Sequence, residues 1–201
     1  EPLILNRAQA YIGVMMDDLT VKGTDKPYRM MTSRAEHRLS LRQDNADLRL
    51  TELSYRIGLA GEDRMRRSEQ KQKETQALIQ YLREEGFAQP LKQPENDLED
   101  IISGDTLALY SKAAREQAQI AVKYEGYLKK EEQHIRQAAS LENTRLPDSI
   151  VYADISSLRL EARQKLHKQR PLSLGQASRI PGVSPADIAV LQVHLKKTGS
   201  D

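Results

Sequence analysis

The segment that most constrains the fold is residues 62–85, a long stretch of mostly polar residues that ends at Gly86. Its first half, 62–75, has Met65 as its only strong hydrophobe, whereas the second half carries Leu78, Ile79 and Leu82. This pattern predicts a long helix with Gly86 as the residue that terminates it. Because only one end is apolar, that end should pack and the other should project into solvent.

Composition agrees with a mainly helical chain that has modest cores and long solvated faces. Charged residues make up 30% of the 201 residues and aromatic residues only 4%, with one Phe and no Trp. Without cysteine the chain has no disulfide, thiol nucleophile or cysteine metal site, which fits a reducing cytoplasm. The four histidines are scattered, so we expect no metal site. No signal peptide or long apolar run is present, and we expect neither a membrane nor a secreted protein.

Arginines are concentrated between Pro27 and Arg42, in the sequence PYRMMTSRAEHRLSLR. Ser33 and Glu36 have the spacing of a capping box, which predicts a helix beginning at Ser33. Arg34, Arg38 and Arg42 are four residues apart and would share one face of that helix. Arg29 lies just before them and Arg49 just beyond. Guanidinium groups bind phosphate through two parallel hydrogen bonds, so a polyanion is the expected ligand. The alternative is a solvated helix face that nearby acidic residues neutralise.

Two further capping patterns, Ser173–Gln176 and Ser184–Asp187, flank the turn Pro181-Gly182-Val183 and predict a helix-turn-helix arrangement. The last helix begins with acidic and apolar residues, which argues against reading of DNA bases. A core face of Ile188, Leu191 and Leu195 is expected. The candidate positions for a protein partner are Asp187, Val190, Gln192 and Lys196. A second basic cluster precedes them, formed by Arg159, Arg163, Lys165, Lys168, Arg170 and Arg179.

A third pattern predicts one long helix from Ala113 to about Leu141. Apolar residues recur along it at spacings of three, four and seven, which predicts a core face of Ile120, Tyr124, Tyr127, Leu128 and Ile135. The alternative for Tyr124 and Tyr127 is a stacking platform for unpaired bases. Near the N-terminus, the adjacent Asp17 and Asp18 are interpreted as a polar helix end.

The arginine-rich segment, continued by Asp44-Asn45-Ala46-Asp47-Leu48-Arg49-Leu50, closely resembles the glucose-inhibited division protein A (GidA/MnmG) family. The resemblance returns at Val122-Lys123-Tyr124-Glu125-Gly126-Tyr127, at Arg170-Pro171, and at Gly175-Gln176-Ala177-Ser178-Arg179-Ile180. It implies the C-terminal part of the FAD-binding subunit of an enzyme that installs a 5-carboxymethylaminomethyl or aminomethyl group on the wobble uridine of tRNA. It also implies NADH and methylenetetrahydrofolate as co-substrates, a tRNA modification GTPase as partner, and a homodimer. His37 stands where the family usually has Tyr.

Together these patterns predict a mainly α chain with a helix bundle-like C-terminal region. The resemblance implies that a short remnant of an α/β FAD-binding domain precedes it. We divide the chain into 1–50, a helical extension 51–88, a linker 89–104 and a helical domain 105–201. The predicted function is tRNA binding and partner docking, with no catalytic residue and no cofactor bound by this segment, because the sequence lacks Gly-x-Gly-x-x-Gly and any convincing nucleophile or acid–base pair. The alternatives are a purely structural module that docks the GTPase and, less favoured, a DNA-binding module.

Overall fold

Helices are the dominant secondary structure of the described residues. The computed structural model describes residues 3–22 and 27–198, and within these ranges it has no β-strand, only one isolated bridge between Arg145 and Ser173. The prediction of a mainly α fold is therefore confirmed. The helices are α1 (Tyr11–Asp17), α2 (Ala46–Arg56), α3 (Glu62–Glu84), α4 (Ala88–Leu91), α5 (Leu98–Ile101), α6 (Gly104–Leu107), α7 (Lys112–Lys123), α8 (Glu125–Asn143), α9 (Leu160–Gln169), α10 (Leu174–Ser178) and α11 (Pro185–Thr198). None of them is long and apolar enough to span a membrane.

The chain divides into two compact units. One comprises His37–Glu132, and the other joins Glu1–Glu36 to Gln133–Asp201. The division falls inside α8, so it differs from the domain limits predicted from the sequence, which stay a prediction. Each unit has its own hydrophobic core.

In the unit 37–132, α3 packs along α7. The C-terminal half of α3 supplies the fully buried Leu78 and Leu82, whereas its first buried residue is Thr75. The helix ends at Glu84, and Gly86 follows with a φ of +76°, a conformation that glycine adopts without strain. The predicted long helix with a buried C-terminal half is observed. The expectation that its N-terminal half projects into solvent is wrong, because that half packs against α2: Ser68 Oγ donates to Asp47 O at 3.3 Å and Lys71 Nζ to Asp47 Oδ1 at 2.9 Å.

The segment 89–104, predicted as a linker, contains α5 and the end of α4. Its Leu91, Leu98 and Ile102 are buried in the same core as Leu78 and Leu82. Asp97 and Asp100 form a reciprocal capping box at α5. The two prolines and the acidic residues of this segment therefore mark helix ends over a packed core.

The other unit is built around α9, α10 and α11. Tyr152, Leu166, Leu174 and Leu191 are almost fully buried in its core. The core face predicted for α11 is confirmed, since Ile188 and Leu191 are buried and Leu195 packs against the same cluster.

Both capping serines predicted in this unit occupy N-cap positions. Ser173 Oγ accepts a hydrogen bond from Gln176 N at 3.1 Å, and Ser184 Oγ accepts from Asp187 N at 3.3 Å. The Asp187 carboxylate completes the second box by accepting from Ser184 N at 2.8 Å. In the first pattern, Gln176 Oε1 accepts a hydrogen bond from Leu172 N at 2.8 Å instead of from the backbone of Ser173.

The helix predicted over 113–141 is interrupted. Tyr124 ends α7 and α8 begins at Glu125, with Leu128 N donating to Tyr124 O at 2.9 Å. The face of α7 that is buried consists of Ala114, Gln117, Ala118 and Val122. The predicted core face is wrong at both tyrosines: Tyr124 is 46% exposed and Tyr127 is 65% exposed. Small side chains let α7 approach α3 closely, which a tyrosine at the same position would prevent.

Candidate nucleic-acid interface

The predicted arginine helix does not form. Only Thr32–Arg34 is helical, as a single 3₁₀ turn, and the backbone of Ala35 is extended. Helix α2 begins only at Ala46. Glu36 does not cap Ser33, because its carboxylate accepts from Arg7 Nη2 at 2.7 Å and from Arg7 Nε at 3.1 Å. Arg34, Arg38 and Arg42 therefore do not share a helical face, and the three side chains have separate surroundings.

Arg7, which sequence reasoning missed, is the centre of a largely buried ion-pair network. Its Nη1 donates to Asp17 Oδ2 at 2.9 Å and to Asp18 Oδ1 at 2.8 Å, and its side chain is 10% exposed. Burial alone would lower the pKa of Arg7, but the hydrogen bonds and charges of Glu36 and Asp18 outweigh it and raise that pKa. The interpretation of Asp17 and Asp18 as a polar helix end is corrected, since both carboxylates converge on one guanidinium and Asp18 is 2% exposed.

Arg34 lies at the edge of this network. Its guanidinium carbon is 4.5 Å from the centre of the Tyr28 ring, and its Nη1 is 3.7 Å from Asp18 Oδ2. The Tyr28 hydroxyl donates to the same Asp18 oxygen at 3.0 Å. Arg34 is still 41% exposed, so one face of the guanidinium remains open to a ligand.

Arg42 and Arg49 are engaged within the unit 37–132. Arg42 donates through Nε and Nη2 to Asp44 and through Nη2 to Gln117 Oε1 at 2.9 Å. Burial opposes ionisation of Asp44, but the hydrogen bonds from Gln117 and Arg42 lower its pKa below the usual value. Arg49 donates to Asn45 Oδ1 at 3.0 Å and to Arg42 O at 3.0 Å. These contacts fix the entry into α2.

In the second basic cluster, Arg159 joins two helices. It holds the Asp187 carboxylate through Nε at 3.1 Å and Nη2 at 2.6 Å, and Nη2 also donates to Gly182 O at 3.0 Å. The hydrogen bonds from Arg159, followed by those from Ser184, hold the pKa of Asp187 well below its usual range despite burial. Asp187 is 2% exposed, so its assignment to an exposed docking surface is wrong; the carboxylate caps α11.

Three more arginines of this cluster bond to the protein itself. Arg163 donates to Leu158 O at 2.9 Å and to Ser156 O at 2.7 Å, which ties the loop before α9 to the helix. Arg170, whose φ is +46°, donates to Ile150 O at 3.0 Å. Arg179 pairs with Asp17 at 2.7 Å and with Glu142, and its side chain is 16% exposed.

Four cations of the two predicted clusters are exposed without an ion pair or side-chain hydrogen bond among the described residues. They are Arg29, Arg38, Lys165 and Lys168. Because nothing in the described chain competes for them, these four are the members of the predicted set best placed to meet a phosphate. The assignment of the whole set to phosphate stays a prediction.

A shallow cavity of about 380 Å³ lies between the 154–157 loop and α11. Its apolar lining comes mainly from Ile155, Val190 and Val193, with His194 and Lys197 at its rim. Val193, which sequence reasoning did not select, is 53% exposed, and Gln192 and Lys196 are exposed on the same helix. An exposed apolar side chain beside polar neighbours has the chemistry of a protein-docking surface.

The described residues contain no cluster of three or more His, Cys, Asp or Glu side chains that could hold a metal ion. Nor do they provide the strand and glycine-rich turn that a dinucleotide requires. What they do provide is exposed cations and, on α11, the exposed Val193 beside a cavity; Val190 is partly buried against the core of this unit.

Comparison with known proteins places these helices in a class of RNA-modifying enzymes. Residues 134–201 match the family model of the tRNA modifying enzyme MnmG/GidA C-terminal helical bundle. Residues 86–132 match that of the MnmG/GidA C-terminal helical domain. The two models meet where the compact units divide, between Glu132 and Gln133.

Curated relatives and solved structures agree with these models. The tRNA uridine 5-carboxymethylaminomethyl modification enzyme MnmG of Alkaliphilus metalliredigens is 46% identical over 98% of this chain and 35% of its own length. The enzyme of the same name from Clostridium botulinum strain Loch Maree is 45% identical over 98% and 36%. The form II crystal structure of Aquifex aeolicus GidA matches with a TM-score of 0.76 and 37% identity, over 97% of this chain and 34% of that one. The chain belongs to the MnmG/GidA family, and it spans about a third of the length of the curated relatives it matches.

Proposed function

We propose that this chain is the tRNA-binding and partner-docking region of a cytoplasmic, FAD-dependent enzyme that modifies the wobble uridine of tRNA. The main support is that four exposed cations lack a partner among the described residues: Arg29, Arg38, Lys165 and Lys168. The relatives of this chain are named as tRNA modification enzymes. Cations that are already desolvated and paired gain little from a phosphate, whereas free ones release the counterions of the RNA.

The catalytic chemistry of the proposed enzyme is assigned to parts of the full-length protein outside this chain. FAD, NADH, methylenetetrahydrofolate and a homodimer are proposed for the full-length enzyme. The sequence of this chain has no Gly-x-Gly-x-x-Gly, and its described residues form no strand to present such a turn. We therefore assign no catalytic or cofactor-binding role to any residue of this chain.

Docking of the tRNA modification GTPase is assigned to the exposed side of α11. The observation that favours it is the apolar cavity beside Val190 and Val193, with Gln192 and Lys196 as polar neighbours. The alternative of DNA reading remains disfavoured, because the first turn of α11 offers only the buried Asp187.

One pair of variants separates the two roles. Reversing charge with Lys165→Glu and Lys168→Glu should weaken tRNA binding and lower the slope of log K against log salt by roughly 0.7 to 0.9 per lost phosphate contact. Val193→Asp should leave tRNA binding unchanged and abolish capture of the GTPase. The matched control is Lys73→Glu on the solvated side of α3, in the other unit. Unchanged tRNA affinity in the lysine variant would remove α9 from the RNA surface.

A further inference from the structure

The junction between α7 and α8 presents two aromatic rings to solvent. Tyr124 and Tyr127 are 46% and 65% exposed, and neither ring packs on another aromatic ring in the described residues. The two positions are three residues apart. Tyr124 ends α7 with φ −102° and ψ 15°, and its carbonyl accepts from Leu128 N at 2.9 Å in the first turn of α8, so the two tyrosines flank the start of that helix.

Gly126 lies between the two tyrosines in the sequence, and a methyl group added there would meet no atom within 4 Å. The protein surface beside this turn of the chain is therefore open.

Positive charge is in excess at the same place. The Glu125 carboxylate, between the two tyrosines in sequence, is shared by three cations: Lys92 at 2.9 Å, Lys129 at 3.0 Å and Arg83 at 3.4 Å. Hydrogen bonds from Lys92 and then Lys129 lower the pKa of Glu125 to about 2, so it stays ionised at neutral pH. Glu125 with its three cations carries a net charge of +2; the exposed Lys130 follows Lys129, and Glu131 and Glu132 come next in the sequence.

We propose that Tyr124 and Tyr127 form a stacking site for unpaired bases of RNA, with the surrounding cations meeting the adjoining phosphates. Exposed aromatic rings beside surplus positive charge are the combination that proteins use for single-stranded nucleic acid. A protein partner would also accept tyrosines, but it would not need two uncompensated charges around a single carboxylate. The inference deepens the tRNA-binding function proposed above and rests on it.

The test measures binding of labelled tRNA to the full chain by fluorescence anisotropy at two salt concentrations. The double substitution Tyr124→Ala and Tyr127→Ala should weaken binding by about 5- to 100-fold, the range expected for one stacked base, without changing the salt slope. Tyr124→Phe with Tyr127→Phe should bind like the unmodified chain, because phenylalanine stacks equally well. Tyr55→Ala, at a tyrosine that is 42% exposed on α2, is the matched control and should have no effect. Oligouridine should compete for the tyrosine-dependent part of the affinity, and duplex RNA should not.

Several results would overturn the proposal, and they fall into distinguishable groups. If the unmodified chain binds tRNA and the alanine variant binds it equally well, the stacking site is refuted while the proposed function stands. If the phenylalanine variant is as weak as the alanine variant, the rings do not act by stacking. A fall in melting temperature of the alanine variant would show rings packed against protein, and selective loss of GTPase capture would show a protein-docking surface. No binding of tRNA by the unmodified chain at low salt would refute the proposed function itself.

Discussion

Replacing Arg7 with leucine tests whether the buried ion-pair network holds the N-terminal segment in place. The substitution keeps an apolar stem of similar reach but removes the hydrogen bonds that Arg7 donates to Asp17, Asp18 and Glu36. Asp17 retains Arg179 Nη2 at 2.7 Å. The Asp18 side chain is 3% exposed, so water cannot take over the role of the guanidinium. Its carboxylate retains the Tyr28 hydroxyl as a donor.

The expected cost follows from these exposures. Removing one partner of a buried pair costs about 3 to 5 kcal/mol, because an uncompensated charge stays behind. The pair with Glu36 adds little, since that carboxylate is 48% exposed and water screens it. Because the Tyr28 hydroxyl stays bonded to Asp18 and Arg34 Nη1 stays 3.7 Å from the same carboxylate, we expect the low end of this range, a loss of about 3 kcal/mol in the free energy of unfolding.

Urea unfolding followed by circular dichroism measures this loss. Arg64→Leu is the matched control and should change stability by less than about 0.5 kcal/mol, because this exposed side chain of α3 makes no hydrogen bond or ion pair with the described residues. Adding Asp18→Asn to Arg7→Leu should cost about 1 to 3 kcal/mol less than the sum of the single changes, because the stranded charge is removed. A loss below about 1 kcal/mol for Arg7→Leu would refute the claim that the network is structural.

Three other substitutions test local packing and charge. Gly13→Ala should destabilise the protein by about 1 to 3 kcal/mol in the same unfolding assay, because its Cβ would lie 2.3 Å from Asn6 O. Gly126→Ala should instead stabilise the protein by about 0.5 to 1 kcal/mol, because the added Cβ meets no atom within 4 Å. Equal effects of the two substitutions would contradict this expectation. The pKa of Glu125 is about 2 in the folded chain against an ordinary value of 4.5, so its stabilising effect is complete above about pH 4.5 and is lost as the pH falls through about 2. The difference in stability between the unmodified chain and Glu125→Gln should therefore shrink from about pH 5 to about pH 2. A difference that stays constant over this range would count against the ion pairs of Glu125.

Sequence patterns predicted the ends of helices correctly where the interactions that decide those ends are local. Ser173 and Ser184 sit at N-caps, and Gly86 ends α3, because each of these positions is decided by residues within one helical turn. The same reasoning failed at Ser33. There the acid expected to complete the cap lies against Arg7, which is 29 residues away in the chain.

Charge patterns identified cations but not their partners. Arg159 is 28 residues from Asp187, and Arg42 is 75 residues from Gln117, so sequence spacing could not show that both are engaged. The lysines of α9 differ because no acid folds back onto them in the described chain. Which predicted cations are free was therefore visible only once the fold was known.

Periodicity also selected the wrong face of α7 and α8. It ranked Tyr124 and Tyr127 as core residues because large apolar side chains dominate such patterns. The structure buries Ala114 and Ala118 against α3 instead, where close approach of two helices favours small residues. The alternative of a surface platform for these tyrosines, noted from the sequence, thus agrees with their exposure and is the basis of the stacking proposal.

The most direct test of the tRNA-binding claim is a titration of the unmodified chain with tRNA over a range of salt concentrations. If Arg29, Arg38, Lys165 and Lys168 each meet one phosphate, log K should fall with log salt with a slope of about −3. Binding at low salt that weakens along such a slope is the predicted result. The absence of binding at low salt, or an affinity that does not change with salt, would contradict the claim that this chain binds tRNA through its exposed cations.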